Sequence, residues 1–163
     1  MARRHYDTKI LTDGNYDTKK GFGVPGVVVI RDGEYLEGVF FGFGNFRYPS
    51  SMVSECAATS LGIYVATNFC DTRNAPHENG RAVVKNDNSE IVRFFNGGKI
   101  ENNDRESQEM KNLLEVSLML KKRYKIDVKH TKGEDVLPDH LSREIRTLFL
   151  KKAEEYKQTV TLI

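Results

Sequence analysis

The sequence predicts an α/β fold with a mixed sheet, in which antiparallel strands come first, parallel strands follow, and helices cover both faces. Three observations predict it. Short β-branched runs separated by turn residues fill the N-terminal part. From residue 50 onward, apolar residues recur at helical spacing. Short apolar runs alternate with these helical segments, as in parallel strands joined by helices. The 163 residues are predicted to form one domain, 1–163.

The first three strands are predicted to form an antiparallel meander. Residues 9–13 are a β-branched run that the turn signal Gly14-Asn15 closes. Residues 26–30 form a second run, and Asp32-Gly33 after it indicates a hairpin. The return strand is predicted from residue 35 to about residue 43.

A helix, a strand and a short helix follow. Ser50 or Ser51 can cap the first helix, which is predicted to reach about residue 69. The strand is predicted at 81–87 and the short helix at 88–95, where the sequence Asn-Gly-Gly at 96–98 ends it. Helical spacing predicts a core face on the first helix made of Val53, Ala57, Leu61 and Tyr64.

The C-terminal part is predicted as helix, strand and helix. The strand covers residues 124–130, and Pro138 opens the last helix. Residues 159–163 either add a short strand or fray. The helix before the strand covers residues 104–122, and its predicted core residues are Met110, Leu113, Leu114, Leu118 and Leu120.

Composition excludes several classes of protein. Cys56 and Cys70 are the two cysteines and lack CxxC spacing, which excludes a thiolate zinc site and predicts reduced thiols in or near the core. The sequence contains no apolar signal segment and no apolar run of membrane-spanning length. We therefore expect a cytoplasmic protein without a membrane partner, with the monomer as the default state.

One stretch is locally basic although the net charge is only +2. A solvated helix end would explain the stretch, but its position directly before His130 favours contact with phosphates. Lys121 and Lys122 are the residues assigned to that contact. Six bases are opposed there by the single acid Asp127: Lys121, Lys122, Arg123, Lys125, Lys129 and Lys132.

Four carboxylates are candidates for one site: Asp13, Glu55, Asp87 and Asp139. Asp13 and Asp87 are predicted to end neighbouring parallel strands, where open α/β sheets bind ligands. Glu55 and Asp139 are predicted near the starts of helices that pack on that sheet. Each acid alone has an ordinary explanation as a turn residue, a solvent-facing residue, a helix cap or a partner of the helix dipole.

Taken together, the four acids predict a site for divalent cations. Two carboxylates about 4 Å apart repel each other by roughly 4 kcal/mol at an effective dielectric near 20, and cations reverse that effect. Hard oxygen donors favour Mg²⁺, for which Mn²⁺ can substitute. Two such ions about 3.5–4 Å apart activate water on one side of a phosphate and stabilise the leaving oxygen on the other.

His130 is predicted to complete the site. It begins the segment HTKGEDVLPDHLSR and precedes Asp139 by nine residues. We expect it to lie on a loop as a mobile proton carrier, or to help release product. Four acids and one histidine in this arrangement predict a nuclease.

Four motifs resemble those of the ribonuclease H family, type 1, in the same order along almost the whole chain. Residues 12–15, TDGN, resemble its first-strand motif, and residues 54–57, SECA, resemble its glutamate helix. Residues 84–88, VKNDN, resemble the end of its fourth strand. Residues 130–143 resemble its closing His…Gly…Asp-x-Leu-Ser-Arg segment. The resemblance implies a five-stranded sheet with strands 1–3 antiparallel and strands 1, 4 and 5 parallel.

The resemblance also implies an endonuclease that cuts the RNA strand of RNA–DNA hybrids with two Mg²⁺ ions. Asp13 would bridge both ions, Asp139 would complete the water-holding site, and Glu55 and Asp87 would hold the other ion. Glu55 would also approach the ribose 2′-hydroxyl. Backbone around Gly14, Asn15 and Tyr16 would touch the RNA strand.

The sequence departs from the family pattern at several substrate contacts. Ser51 and Met52 occupy positions where asparagines commonly contact the hybrid, and Ser89 stands where glutamine is common. The tryptophan-rich basic protrusion of some members is missing, because residues 97–103 read GGKIENN and the chain has no Trp. Two alternatives remain: another nuclease of this fold, such as a junction resolvase, and a catalytically silent nucleic-acid-binding module.

Overall fold

A computed structural model of the protein describes residues 6–17, 22–31, 34–41, 50–69, 81–101, 104–131 and 151. The strands are β1 (Tyr6–Asp17), β2 (Phe22–Arg31), β3 (Glu34–Phe41), β4 (Arg81–Asn86) and β5 (Asp127–His130). The helices are α1 (Ser51–Ala66), α2 (Ser89–Phe95) and α3 (Arg105–Arg123), and a 3₁₀ turn, Thr67–Phe69, follows α1.

The strands form one mixed sheet in the order β3-β2-β1-β4-β5. The pairs β1–β2 and β2–β3 are antiparallel, and the pairs β1–β4 and β4–β5 are parallel. The predicted mixed α/β fold is therefore confirmed. β1 lies at the centre and is shared by the antiparallel and parallel halves, so residues near its middle can meet side chains from both.

β1 does not end where the sequence predicted. The turn predicted at Gly14-Asn15 is wrong, because β1 continues to Asp17 and pairs Gly14 with Pro25 and Asn15 with Val24 of β2. An antiparallel partner of sufficient length overrides the local turn preference. The parallel ladder with β4 does stop near this point, and its last pair is Thr12 with Asn86.

Helix α1 packs against β1, β2, β4 and α3, and it is buried on most of its circumference. Ser50 caps it as predicted, because its side chain accepts a hydrogen bond from the Val53 N–H. The predicted core face is wrong at Tyr64, which is 63% exposed. Small residues such as Ala58 and Gly62, both buried, let the helix approach the sheet closely.

Helices α2 and α3 begin at side-chain caps. Asn88 accepts hydrogen bonds from the N–H groups of Glu90 and Ile91, and Asp104 accepts one from Ser107. Met110 and Leu114 are buried as predicted, whereas Leu118 is exposed and Ser117 takes a buried position instead. Leu118 was assigned by hydrophobicity and helical spacing; it lies four residues after Leu114, at the margin of the buried face, and is 38% exposed.

Cys56 is a buried free thiol, and burial raises its pKa to about 12, as expected of an inert core cysteine. Cys70 and the helix predicted from Pro138 lie outside the described residues, so covering of the second sheet face stays a prediction. Within the described ranges, no helix combines the length and apolarity that a membrane crossing requires.

Candidate metal centre

Three of the four predicted carboxylates meet in the structure. Asp13, Glu55 and Asp87 each present one carboxylate oxygen, and these three oxygens lie within 4.8 Å of one another. Asp13 and Glu55 are half-buried, and Asp87 is exposed. The group is thus open to solvent on the Asp87 side and enclosed on the Glu55 side.

Sheet topology brings Asp13 and Asp87 together. Thr12 and Asn86 are paired neighbours at the end of the parallel β1–β4 ladder, and each acid follows one of them directly. Asp87 is not the cap of α2, because Asn88 performs that role. The ordinary explanation of Asp87 as a helix cap is therefore wrong, and its carboxylate remains available to the cluster.

Glu55 reaches the cluster from α1 because that helix lies against the β1 backbone. A Cβ atom added at Gly14 would lie 2.3 Å from both the backbone N of Glu55 and the backbone C of Ser54. Only glycine permits this approach without moving the helix. The Gly14 N–H also donates a hydrogen bond to the Glu55 carboxylate.

Several effects raise the pKa of Glu55 to about 7, from an ordinary value of 4.5. Burial contributes most, and the negative charges of Asp13 and Asp87 add to it. Hydrogen bonds from Asn86 and from the Gly14 backbone act in the opposite direction. The hydrogen bonds therefore compensate only part of the cost of ionising Glu55 when no cation is bound.

Asn86 is a site residue that sequence reasoning did not identify. It is fully buried, and its Nδ2 donates to Glu55 Oε2 at 2.8 Å and to Thr12 Oγ1 at 3.1 Å. Its Oδ1 accepts from the Asn88 N–H at 2.8 Å. The available signal was an amide on the α1-facing side of a strand that is otherwise apolar on that side.

His130 lies beside the cluster, but on a strand. The sequence predicted both a strand ending at residue 130 and a loop position for His130; the strand is confirmed, because His130 is the last residue of β5 and pairs with Asn86. Its Nε2 lies 2.9 Å from the backbone oxygen of Asp87. Because a carbonyl oxygen can only accept, Nε2 carries the proton in this contact.

The other residues that the sequence predicted for the site lie on α1, on β1 and at the end of α3, apart from Asp139. Ser51 is exposed at the start of α1, and Gly14 packs against α1 as described. Asn15 and Tyr16 continue β1 beyond Asp13. In the last turn of α3, Lys121 is half-buried and Lys122 is exposed. Asp139 lies outside the described residues, so its place in the cluster stays a prediction.

The donor set fits a hard divalent cation. It consists of carboxylate oxygens, which Mg²⁺ and Mn²⁺ prefer, and within the described part of the chain no cysteine joins it. The raised pKa of Glu55 is a second sign of fit, because a cation would replace the missing positive charge. Asp13, Glu55 and Asp87 are the residues that would hold it.

Comparisons with known proteins agree with this fold. No protein-family model matches the sequence, and no curated protein matches it either. Among solved structures, LC11-RNase H1 isolated from compost has a TM-score of 0.65 and 18% identity, over 93% of this chain and 99% of that one. The N-terminal RNase H domain of Rv2228c from Mycobacterium tuberculosis has a TM-score of 0.63 and 17% identity, over 90% of this chain and 97% of that one.

A further similar structure is LC11-RNase H1 in complex with an RNA/DNA hybrid. Its TM-score is 0.58 at 18% identity, over 78% of this chain and 86% of that one. Fold and cluster together define an α/β protein with a carboxylate group suited to a metal. The chain has a fold of the ribonuclease H type 1 kind.

Proposed function

We propose that this protein is a metal-dependent endonuclease that hydrolyses the RNA strand of RNA–DNA hybrids. The observation that carries the proposal is the meeting of Asp13, Glu55 and Asp87 within 4.8 Å on a ribonuclease H fold. The fold alone hosts several activities, but a silent binding module has no need for three mutually repelling acids. Binding of a hybrid by a similar structure supports the choice of substrate.

In this proposal, Asp13, Glu55, Asp87 and Asp139 hold two Mg²⁺ ions, for which Mn²⁺ can substitute. When bound, the ions activate a water molecule and stabilise the leaving oxygen of the phosphodiester. The chain itself fixes the ligands in advance: α1 presses Glu55 towards β1, and Asn86 and Gly14 hydrogen-bond its carboxylate. Such preorganisation avoids reorienting the ligands during the reaction.

Contacts to the hybrid are assigned to residues around the cluster. Gly14, Asn15, Tyr16 and Ser51 are proposed to meet the RNA strand, and Glu55 its 2′-hydroxyl. Lys121 and Lys122 are proposed to meet phosphates. His130, whose Nε2 donates to the Asp87 backbone oxygen, is the proposed proton carrier, because the other ring nitrogen, Nδ1, can accept a proton.

Asp13→Asn tests the proposal. The amide removes one charge at nearly constant volume, so we expect loss of Mg²⁺-dependent hybrid cleavage by at least about 10²-fold, with an unchanged far-UV spectrum. The assay uses matched RNA–DNA, RNA–RNA and DNA–DNA duplexes and a four-way DNA junction. As a control, Glu101→Gln removes an exposed acid elsewhere and should retain activity.

Two results would contradict the proposal. Wild-type protein that cuts the four-way junction but not the hybrid would assign it to the resolvases. Full activity of Asp13→Asn would remove Asp13 from the active site.

A further inference from the structure

Resting on the proposed function, we infer that Asn86 is a positioning residue whose one side-chain amide sets the arrangement of the three metal-ligating carboxylates. The residue itself is not assigned as a ligand. It lies at the end of β4, fully buried, between the strand that carries Asp13 and the helix that carries Glu55.

Asn86 contacts Glu55 itself and the chain neighbours of the other two carboxylates. Nδ2 donates directly to Glu55 Oε2 at 2.8 Å. The same nitrogen lies 3.1 Å from Thr12 Oγ1 and 3.3 Å from the Thr12 backbone oxygen, next to Asp13. Oδ1 accepts a hydrogen bond from the Asn88 N–H at 2.8 Å, and this bond spans the backbone of Asp87.

This geometry determines the orientation of the amide. The Thr12 carbonyl oxygen can only accept a hydrogen bond, and so can Glu55 Oε2 while Glu55 is ionised. The Asn88 N–H can only donate. The side-chain nitrogen of Asn86 must therefore face Glu55, and its side-chain oxygen must face Asn88. The Thr12 hydroxyl donates a hydrogen bond to the Lys85 backbone oxygen at 2.8 Å, so its Oγ1 can act only as an acceptor towards Asn86. An aspartate at position 86 would lack the donors, and an apolar side chain would lack both functions.

The bond from Asn86 occupies one oxygen of Glu55. A carboxylate held at one oxygen by a buried donor turns its other oxygen in a fixed direction, which lowers the entropic cost of binding a cation. Partners of metal ligands of this kind typically contribute about 10–100-fold to metal affinity. A purely structural role would instead affect stability and leave metal affinity unchanged.

The test compares Asn86→Leu with Thr12→Val in the full chain. Thr12→Val removes a hydroxyl from the same buried cluster but leaves the bonds from Asn86 to Glu55 and to the Thr12 backbone oxygen in place, so it is the matched control. Mn²⁺ affinity is measured by the loss of the free-ion electron paramagnetic resonance signal. Unfolding temperature and hybrid affinity in EDTA are measured beside it.

We expect Asn86→Leu to weaken Mn²⁺ binding by about 10–100-fold, while hybrid affinity in EDTA stays within about 3-fold of wild type. Thr12→Val should lower the unfolding temperature but keep Mn²⁺ affinity within about 3-fold. If Asn86→Leu does not fold, Asn86→Ala, which imposes no bulk on the cluster, takes its place with the same expectation.

Equal Mn²⁺ affinities in wild type and the folded Asn86 variant would overturn the inference. Equal losses in the Asn86 variant and Thr12→Val would also overturn it, because they would indicate general loosening of the cluster. The proposed function fails separately: wild type that binds Mn²⁺ but cuts no hybrid would refute the activity and leave the role of Asn86 standing.

Discussion

At Glu55, the fold imposes opposing effects on one carboxyl group. Burial and the charges of Asp13 and Asp87 favour its protonated form, and the donors from Asn86 and Gly14 favour its ionised form. The first group of effects prevails, since the pKa rises to about 7. Below about pH 7, the metal-free protein therefore holds a proton at this position that a bound cation would displace.

The raised pKa predicts how stability depends on pH without metal. The folded state binds a proton that the unfolded state has lost between about pH 4.5 and 7, so the free energy of unfolding falls as pH rises through that window. Because 1.36 kcal/mol corresponds to one pKa unit, the upper limit of the loss is about 3 kcal/mol. Glu55→Gln, which cannot ionise, should escape it.

Urea denaturation in EDTA at pH 5 and pH 8 checks this prediction. Glu55→Gln should gain stability over wild type at pH 8 and show little gain at pH 5. Adding Mg²⁺ at pH 8 should stabilise wild type more than the variant. The exposed Glu101→Gln serves as control and should show neither effect. If the difference in unfolding free energy between Glu55→Gln and wild type were the same at pH 5 and pH 8, the raised pKa of Glu55 would be contradicted.

At the level of elements, the position of α1 decides where Glu55 lies. The helix approaches the sheet at two glycines, Gly14 of β1 and Gly62 of α1. A Cβ atom at Gly62 would lie 2.5 Å from Thr12 Cγ2 and 3.0 Å from Val84 Cγ1. Because β-branched side chains have little rotamer freedom, α1 itself would have to move away.

Gly62→Ala should therefore destabilise the protein, although alanine is the better helix former by about 1 kcal/mol. Overpacking of this kind costs about 1–3 kcal/mol, so after the gain in helix propensity we expect a net loss of unfolding free energy of up to about 2 kcal/mol. Urea denaturation measures it. Tyr64→Ala on the exposed side of the same helix is the control and should change stability by less than about 0.5 kcal/mol. A more stable Gly62→Ala would contradict the close packing of α1.

At the scale of the whole molecule, the distribution of charge is compatible with the proposed binding of a nucleic acid. The net charge is only +2, yet the end of α3 and the start of β5 concentrate exposed bases. Lys121, Lys122 and Arg123 occupy the last turn of α3, where they also oppose the negative end of the helix dipole. The same chain segment then enters β5 and ends at His130 beside the carboxylates.

We expect the double variant Lys121→Ala and Lys122→Ala to bind the hybrid more weakly and with less dependence on salt. Each lost phosphate contact should reduce the slope of log affinity against log salt by about 0.9, and therefore by nearly 2 for both. Binding in EDTA at several salt concentrations measures this without cleavage. Arg105→Ala at the opposite end of α3 should leave the slope unchanged. An unchanged slope in the double variant would remove the two lysines from the interface.

Much of the architecture could be predicted from local sequence. Strands β2, β4 and β5 and all three described helices occur where apolar spacing and caps indicated, because those signals act within a few residues. Errors occurred where a distant partner prevailed over a local preference. Pairing with β2 extends β1 beyond the turn signal at Gly14. Tyr64 and Leu118, predicted as core residues, are exposed in the packed structure.

The sequence by itself determined the elements, their order and the identity of the carboxylates, because residue type and spacing encode them directly. Only the tertiary structure decided that Asp13, Glu55 and Asp87 share one pocket, that burial raises the pKa of Glu55, and that Asn86 donates a hydrogen bond to the Glu55 carboxylate. Those properties depend on distances between residues far apart in the chain. Such distances are set when α1 packs on the sheet, and no local pattern of residues specifies them.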